Sequence, residues 1–238
     1  MDFRIYIQAV NNFPISDWAT DAYIGFKQKG AEIVLFEEID EVPVRRNNIV
    51  VAHIEDTIKY FNKLGIPTPI ALNIPDSLKK YAGREIGATT MGEFKKMNKF
   101  PIFVKPNRTA KEFRGQVLEK REYLLDYANI EDDMPVFYSE FVDFISEYRC
   151  YVIDGELKGI YHYLGGIRVF PDVRVIDSAI SDYKNSPAGY TIDFGITSDG
   201  RTLLIECNDG WSIGNYGLDD KTYSRLLSKR WLEIIKNN

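Results

Sequence analysis

The chain reads as an α/β unit followed by α+β, and three observations carry that reading. Strand-like and helix-like runs alternate over the first third of the 238 residues, whereas the stretch from about residue 135 onward favours antiparallel hairpins. A proline-bearing segment, IPTPIALNIPDSL (66–78), separates the two regimes. Hydrophobic residues make up 45% and charged residues 27%, the balance of a globular chain long enough to bury one large core or two to three smaller ones.

In order along the chain, FRIYIQAV (3–10) predicts a first strand and SDWATDAYIGFKQKG (16–30) a helix with Ser16 as N-cap and Gly30 as its stop. EIVLFEEI (32–39) and NIVVAHI (48–54) predict two more strands, and EDTIKYFNKLG (55–65) an amphipathic helix ending at Gly65. Ser77 or Asp76 is a candidate cap for a short helix, Arg84 and its neighbours a candidate short strand, and TTMGEFKKM (89–97) a further helix start. PIFVKP (101–106) is a buried strand carrying a lysine, while QVLEKREYLLDYA mixes strand and helix signals. PVFYSEFVDF (135–144) runs into EYRCYVIDGELKGIYHYLGG (147–166), a hairpin turning at Asp154-Gly155. GYTIDFGITSDGRTLLIECND (189–209) is a second hairpin, turning at Asp199-Gly200, and a helix from about Asp220 to Ile235 ends the chain. The expected units are 1–75, an N-terminal α/β domain, then 76–137 and 138–238.

Several classes of function are set aside by composition. A net charge of −5 argues against a surface that coats nucleic acid, which needs a basic excess. No apolar run approaches the length of a membrane span, and MDFRIYIQAVNNF lacks the pattern of a signal peptide, so a cytoplasmic protein is expected. Cys150 and Cys207, each in an apolar run, are expected as buried thiols rather than a disulfide framework. His53 and His162 have no ligand-like spacing, which argues against zinc.

The chemistry gathers at strand ends. In LLIECNDG (203–210), Glu206 and Asn208 are two residues apart and leave the same face of a strand. Oxygen-bearing side chains at the mouth of a sheet suit a hard cation such as Mg²⁺, although Asn-Asp-Gly is also ordinary turn chemistry. Asp193 in TIDFG lies on the partner strand, and the turn at Asp199-Gly200 brings it close to Glu206 across the ladder. Facing carboxylates are costly unless a proton or cation lies between them.

Lys105, set among Ile102, Phe103 and Val104, costs desolvation unless an anion meets it. A phosphate contact is one reading, and an edge position from which the ammonium reaches water is the other. Lys111 and Arg114 follow in a polar loop and are candidates to close over the same anion. SEFVDFISE (139–147) sets Glu140 before an apolar pair and Glu147 seven residues on. An adenine slot needs apolar walls, a backbone segment and a carboxylate for ribose, but two surface glutamates on a strand is the plainer account.

Together, PIFVKP, SEFVDFISE, TIDFG and IECND, in this order, resemble the ATP-grasp superfamily. More narrowly, KPNRTAKEFRG and IECNDGWSIGNYG look like its clade named for one arginine and two lysines. The resemblance covers roughly 77–238 and implies an ATP-grasp fold behind a small pre-ATP-grasp-like domain. It implies that Lys105 contacts the α- and β-phosphates and that Glu140, Phe141 and Val142 form the hinge against adenine. Glu147 would hold ribose, and Asp193, Glu206 and Asn208 would bind Mg²⁺. Arg84 stands where many relatives have their first lysine, and Lys111 looks like the clade's second. Arg149 and Arg168 are candidates for the γ-phosphate or an acyl-phosphate intermediate. One departure is the loop after Lys105, usually rich in glycine, which here offers only Gly115.

The resemblance implies an ATP-dependent carboxylate–amine ligase acting on a small-molecule or peptide carboxylate and an amine, with a homodimer as one expected assembly. A phosphotransferase using the same site is the alternative, and a nucleotide-binding module without turnover is a third. NDGWSIGNYGLDD (208–220), rich in glycine and aromatics, is the segment expected to touch substrate, with an ordered surface loop as the alternative.

Overall fold

The computed structural model describes residues 3–108 and 113–238, so Lys111 lies outside the described residues. The N-terminal unit is built on β1 (Arg4–Val10), whose central residues are buried without alternation, as in a parallel strand covered on both faces. After a two-residue strand, β2 (Phe13–Pro14), comes α1 (Asp17–Gln28). Ser16 caps that helix by accepting from the Ala19 N–H, and Gly30 leaves it at φ +72°. β3 (Glu32–Phe36) and β4 (Asn48–Val51) both pair parallel with β1, and α2 (Ile54–Lys63) follows, ending at Gly65 with φ +68°.

A second sheet holds β5 (Ile86–Thr90), β6 (Ile102–Pro106), β7 (Gln116–Leu118) and β8 (Pro135–Glu140), in the antiparallel order β5-β8-β6-β7. The short helix α3 (Met91–Lys95) buries Met91 and Phe94 against it. A third sheet holds β9 (Phe144–Ile153), β10 (Glu156–Gly165), β11 (Gly189–Thr197) and β12 (Thr202–Asp209), in the order β10-β9-β11-β12. Positive φ at Asp154 (52°) and Gly155 (76°) makes the tight turn between β9 and β10. Cys150 and Cys207 lie buried in this sheet as free thiols.

The helix α4 (Val173–Asp182) has no counterpart in the sequence reading, because its valines and isoleucines carry strand character. It forms because Asp172 accepts from the Arg174 N–H and because Ile176, Ala179 and Ile180 fall on one buried face. Other differences are local. The stretch 135–144 breaks after Glu140, so β8 and β9 belong to different sheets. The short helix at Asp76–Tyr81 is a 3-10 helix with Pro75 at the N-cap position and no side-chain capping bond, so neither Asp76 nor Ser77 caps it.

The C-terminal helix α5 (Asp220–Asn237) completes the first unit rather than the third. Trp231 stacks on Phe61 with ring centroids 4.8 Å apart, and its indole N–H donates to the Asn48 carbonyl at 2.8 Å. Against α1 the approach is so close that a Cβ on Gly25 would stand 1.9 Å from the Asp220 carbonyl oxygen. The N-terminal core therefore draws on Trp211, Leu218, Tyr223 and Trp231, and a unit of residues 1–75 alone does not enclose it. Residues 74–82 in turn pack on the third sheet.

Candidate active site

One face of the third sheet carries a row of polar side chains. Tyr161 of β10 stands opposite Arg149 of β9, Arg149 opposite Asp193 of β11, and Asp193 opposite Glu206 of β12. Tyr151, Thr191 and Asn208 make the neighbouring row. The alternation of side chains in each strand is what aims Asp193, Glu206 and Asn208 into one place.

Arg149 bridges Asp193 with two hydrogen bonds, Nε to Oδ1 at 3.0 Å and Nη2 to Oδ2 at 2.7 Å. Its guanidinium lies 4.7 Å from the ring centre of Tyr216 and 5.8 Å from that of Tyr163, and these two rings stack on each other. Burial pushes the Asp193 carboxyl up to about 6, against the opposing pull of Arg149. Glu206 is matched differently. Its Oε2 accepts from Lys105 Nζ at 2.5 Å, and its Oε1 accepts from Asn208 Nδ2 at 2.9 Å. Burial raises the Glu206 carboxyl, but Lys105 and Asn208 outweigh it and hold the group below the ordinary glutamate range.

Lys105 comes from β6 of the second sheet, so its bond to Glu206 closes the cleft between the second and third sheets. On one side lies a cavity of about 330 Å³, lined by Arg84, Glu140, Phe141, Val142 and Glu147 among others. On the other lies a cavity of about 720 Å³, which takes in Arg149, Asn208 and the Trp211–Gly214 segment. Phe103, Lys105 and Glu206 line both.

The positions expected from the sequence thus fall into groups. Asp193, Glu206, Asn208, Lys105 and Arg149 converge. Lys105, its side chain 18% exposed, does not stand as an unpaired cation, because Glu206 engages it. Glu147 lines the smaller cavity and accepts from the Tyr163 hydroxyl at 2.7 Å. Glu140 ends β8, accepts from the Glu85 N–H at 2.8 Å and pairs with Lys99, while Phe141 and Val142 follow in the strand break. Arg84 lines the same cavity but donates to the Leu204 carbonyl at 2.8 Å and the Ala82 carbonyl at 3.0 Å. Its guanidinium is thereby anchored to backbone carbonyls through Nη1 and Nη2, and burial lowers its pKa to about 10.

Arg168 does not join the group. The chain leaves β10 at Gly165 (φ +83°), packed against the Ile145 carbonyl, and Arg168 is exposed in the following loop and lines neither cavity. Sequence reasoning in turn passed over Tyr163 and Thr191, and took Tyr216 only as part of the 208–220 segment expected to touch substrate. Thr191 sits two residues before Asp193 on the same face, and its hydroxyl is buried with no hydrogen-bond partner among the described residues. That i, i+2 spacing was the signal to follow; for the tyrosines, only the folded sheet brings them to Arg149.

Among the described residues no cluster of three or more His, Cys, Asp and Glu side chains could hold a metal. The candidate donor set is two carboxylates and an amide, whose oxygens suit a hard divalent cation once Asn208, which here turns Nδ2 toward Glu206 and Asp193, presents Oδ1 instead. In the structure their negative charge is balanced by Arg149 and Lys105.

A family model for the ATP-grasp domain, family 2 of the clade named for one arginine and two lysines, matches residues 81–226. No curated protein matches the chain in sequence. Among solved structures, the chain is similar to D-alanine–D-alanine ligase from Bacillus anthracis, with a TM-score of 0.59 and 15% identity over 99% of each chain. It is similar to the D-cycloserine synthetase DcsG, with a TM-score of 0.63 and 11% identity over 96% of this chain and 99% of that one. A third likeness is to N5-carboxyaminoimidazole ribonucleotide synthetase, PurK, in an ADP complex: TM-score 0.62, 10% identity, 97% of this chain and 77% of that one. At these identities the likeness is one of fold.

Proposed function

The chain belongs to the ATP-grasp domains, in family 2 of the one-arginine, two-lysine clade, and from that membership we propose that it is an ATP- and Mg²⁺-dependent carboxylate–amine ligase. The observation that carries the reading is the Lys105–Glu206 pair, standing where a 330 Å³ cavity meets a 720 Å³ cavity. A nucleotide in the smaller cavity would present its phosphates at that partition, and a carboxylate in the larger one would face them.

In this reading the second and third sheets clasp ATP. The backbone of Glu140, Phe141 and Val142 meets adenine, and Glu147 accepts from ribose hydroxyls. Lys105 exchanges Glu206 for phosphate oxygen. Asp193, Glu206 and Asn208 hold Mg²⁺, which when bound neutralises charge on the transferring phosphoryl group. A carboxylate oxygen of the substrate attacks the γ-phosphorus and ADP leaves. The amine nitrogen then attacks the acyl carbon, phosphate leaves, and the ammonium proton passes to solvent. Arg149, in the wall of the larger cavity, stabilises charge on the acyl phosphate. Arg84, tied to the β12 backbone, positions that strand.

Trapping tests this. With ATP, Mg²⁺, hydroxylamine and a panel of carboxylates but no amine, the chain should release ADP and form a hydroxamate. A stable phosphorylated hydroxyl compound and no hydroxamate would instead make it a phosphotransferase.

A further inference from the structure

Resting on the ligase reading, in which Glu147 accepts from the nucleotide's ribose, we infer that Tyr163 is a positioning residue for Glu147. It holds the carboxylate for that bond and so sets how strictly the site tells ribose from deoxyribose. The backbone is the first argument. His162 stands opposite Tyr148 and Leu164 opposite Glu147, so Tyr163 is the extra residue of a bulge in β10. A bulge re-aims the side chain it carries, and bulges gather beside active sites. Here the Tyr163 hydroxyl donates to Glu147 Oε2 at 2.7 Å.

The surroundings of the ring are the second argument. Its centre lies 5.3 Å from that of Tyr216, the two planes 21° apart, and 5.8 Å from the Arg149 guanidinium. Arg149 is itself fixed on Asp193 by two hydrogen bonds. A ring packed in this way gives its hydroxyl a fixed place, and a glutamate side chain keeps its rotamer freedom unless something holds it.

The third argument is the division of labour at Glu147. Glu147 lines the smaller cavity, whereas Tyr163 lines neither cavity. One carboxylate oxygen, Oε2, is therefore engaged by a side chain outside the cavity wall, and Oε1 is left to meet a ligand. Burial, helped by Asp193 and Glu147, pushes the Tyr163 phenol up, so it stays protonated and goes on donating. A neutral donor leaves the negative charge on Glu147, and a charged acceptor makes the stronger bond to a hydroxyl.

Sugar variants of the nucleotide test this. Binding of ATP, 2′-deoxy-ATP and 3′-deoxy-ATP to the whole chain is measured calorimetrically with Mg²⁺ and no carboxylate substrate. Wild type should bind ATP roughly tenfold more tightly than the analogue lacking the contacted hydroxyl. Tyr163→Phe keeps the ring, and should bring that ratio to about threefold or less by weakening ATP alone. Glu147→Ala should abolish the ratio, and adding Tyr163→Phe to it should change nothing further, as for two groups acting through one bond. A wild type that binds all three nucleotides alike overturns the inference. So does a Tyr163→Phe chain with a lower melting temperature and the full ratio, which would mean that the hydroxyl only ties β10 to β9. Hydroxylamine trapping is run in parallel. Hydroxamate from a Tyr163→Phe chain that keeps the full ratio sinks the inference alone, and the expected ratios without hydroxamate leave it standing and remove the ligase chemistry. No ATP binding at all removes both.

Discussion

Asp193 stands directly opposite Glu206 in the β11–β12 ladder, with a register shift immediately after it. Two carboxylates so placed repel each other, and the fold answers with two cations of different origin. Arg149 reaches Asp193 from the adjacent strand of the same sheet, while Lys105 reaches Glu206 from the sheet across the cleft. The first pair belongs to one rigid ladder. The second joins two sheets, so anything that competes for Lys105 also loosens the contact between them.

That difference sets the expectation for Lys105→Met. A lysine in an apolar strand, taken alone, would be a charge whose removal costs nothing. Paired with Glu206, whose side chain is 28% exposed, its loss should instead lower ligand-free stability, by about 1–2 kcal/mol for a partly hydrated charged hydrogen bond. The same variant should lose most of the rise in melting temperature that Mg²⁺-ATP gives the wild type. Differential scanning fluorimetry with and without nucleotide reads both effects. A variant as stable as wild type that keeps its nucleotide shift would mean that Lys105 contacts neither Glu206 nor phosphate.

The joint between the two ends of the chain is open to a separate measurement. Gly25→Ala places a methyl carbon against the Asp220 carbonyl, which backbone cannot yield cheaply, and should cost about 1–3 kcal/mol. Trp231→Ala empties the slot between Phe61 and Asn48 and should cost about 3–5 kcal/mol. Urea unfolding gives both values. If either is near zero, α5 does not hold the N-terminal sheet.

These residues also mark what the sequence makes legible. Helix caps, hairpin turns and the alternation that aims Glu206 and Asn208 to one side are local, and Ser16, Asp154-Gly155 and the 206/208 spacing announce them. The packing of α5 on α1 depends on residues about two hundred apart, and one glycine among seventeen carries no sign of it. In the same way, Arg149 and Arg168 are equivalent as sequence. The β9–β11 register sets one opposite Asp193, and the turn at Gly165 leaves the other on the surface. Helix α4 was obscured for a third reason, since its β-branched residues suit strands and only the Asp172 cap and tertiary burial override them.

The Arg149–Asp193 bridge makes a prediction with a definite pH signature. Arg149→Met leaves a carboxyl that is 1% exposed without its cation, and breaking such a pair from one side costs about 3–5 kcal/mol. Burial already holds Asp193 up at about 6, above the ordinary value of about 3.9, and losing the guanidinium raises it further. For a carboxyl raised in the folded state, the stabilising contribution is full below the unfolded value and is lost as pH rises through the folded one. Wild-type stability from this group should therefore fall between about pH 4 and 6, while the Arg149→Met chain goes on losing stability above that. Its deficit relative to wild type should be largest near pH 7.5 and should shrink at pH 5. Asp193→Asn alone should flatten the wild-type fall, because the amide does not titrate. Combined with Arg149→Met it should recover most of the loss, since a neutral amide needs no cation beside it. Urea unfolding of the four chains at pH 5, 6 and 7.5 decides the matter. A deficit in Arg149→Met that is the same at every pH, and undiminished in the double variant, would show that packing against Tyr163 and Tyr216 holds Arg149 in place and that its charge on Asp193 does not.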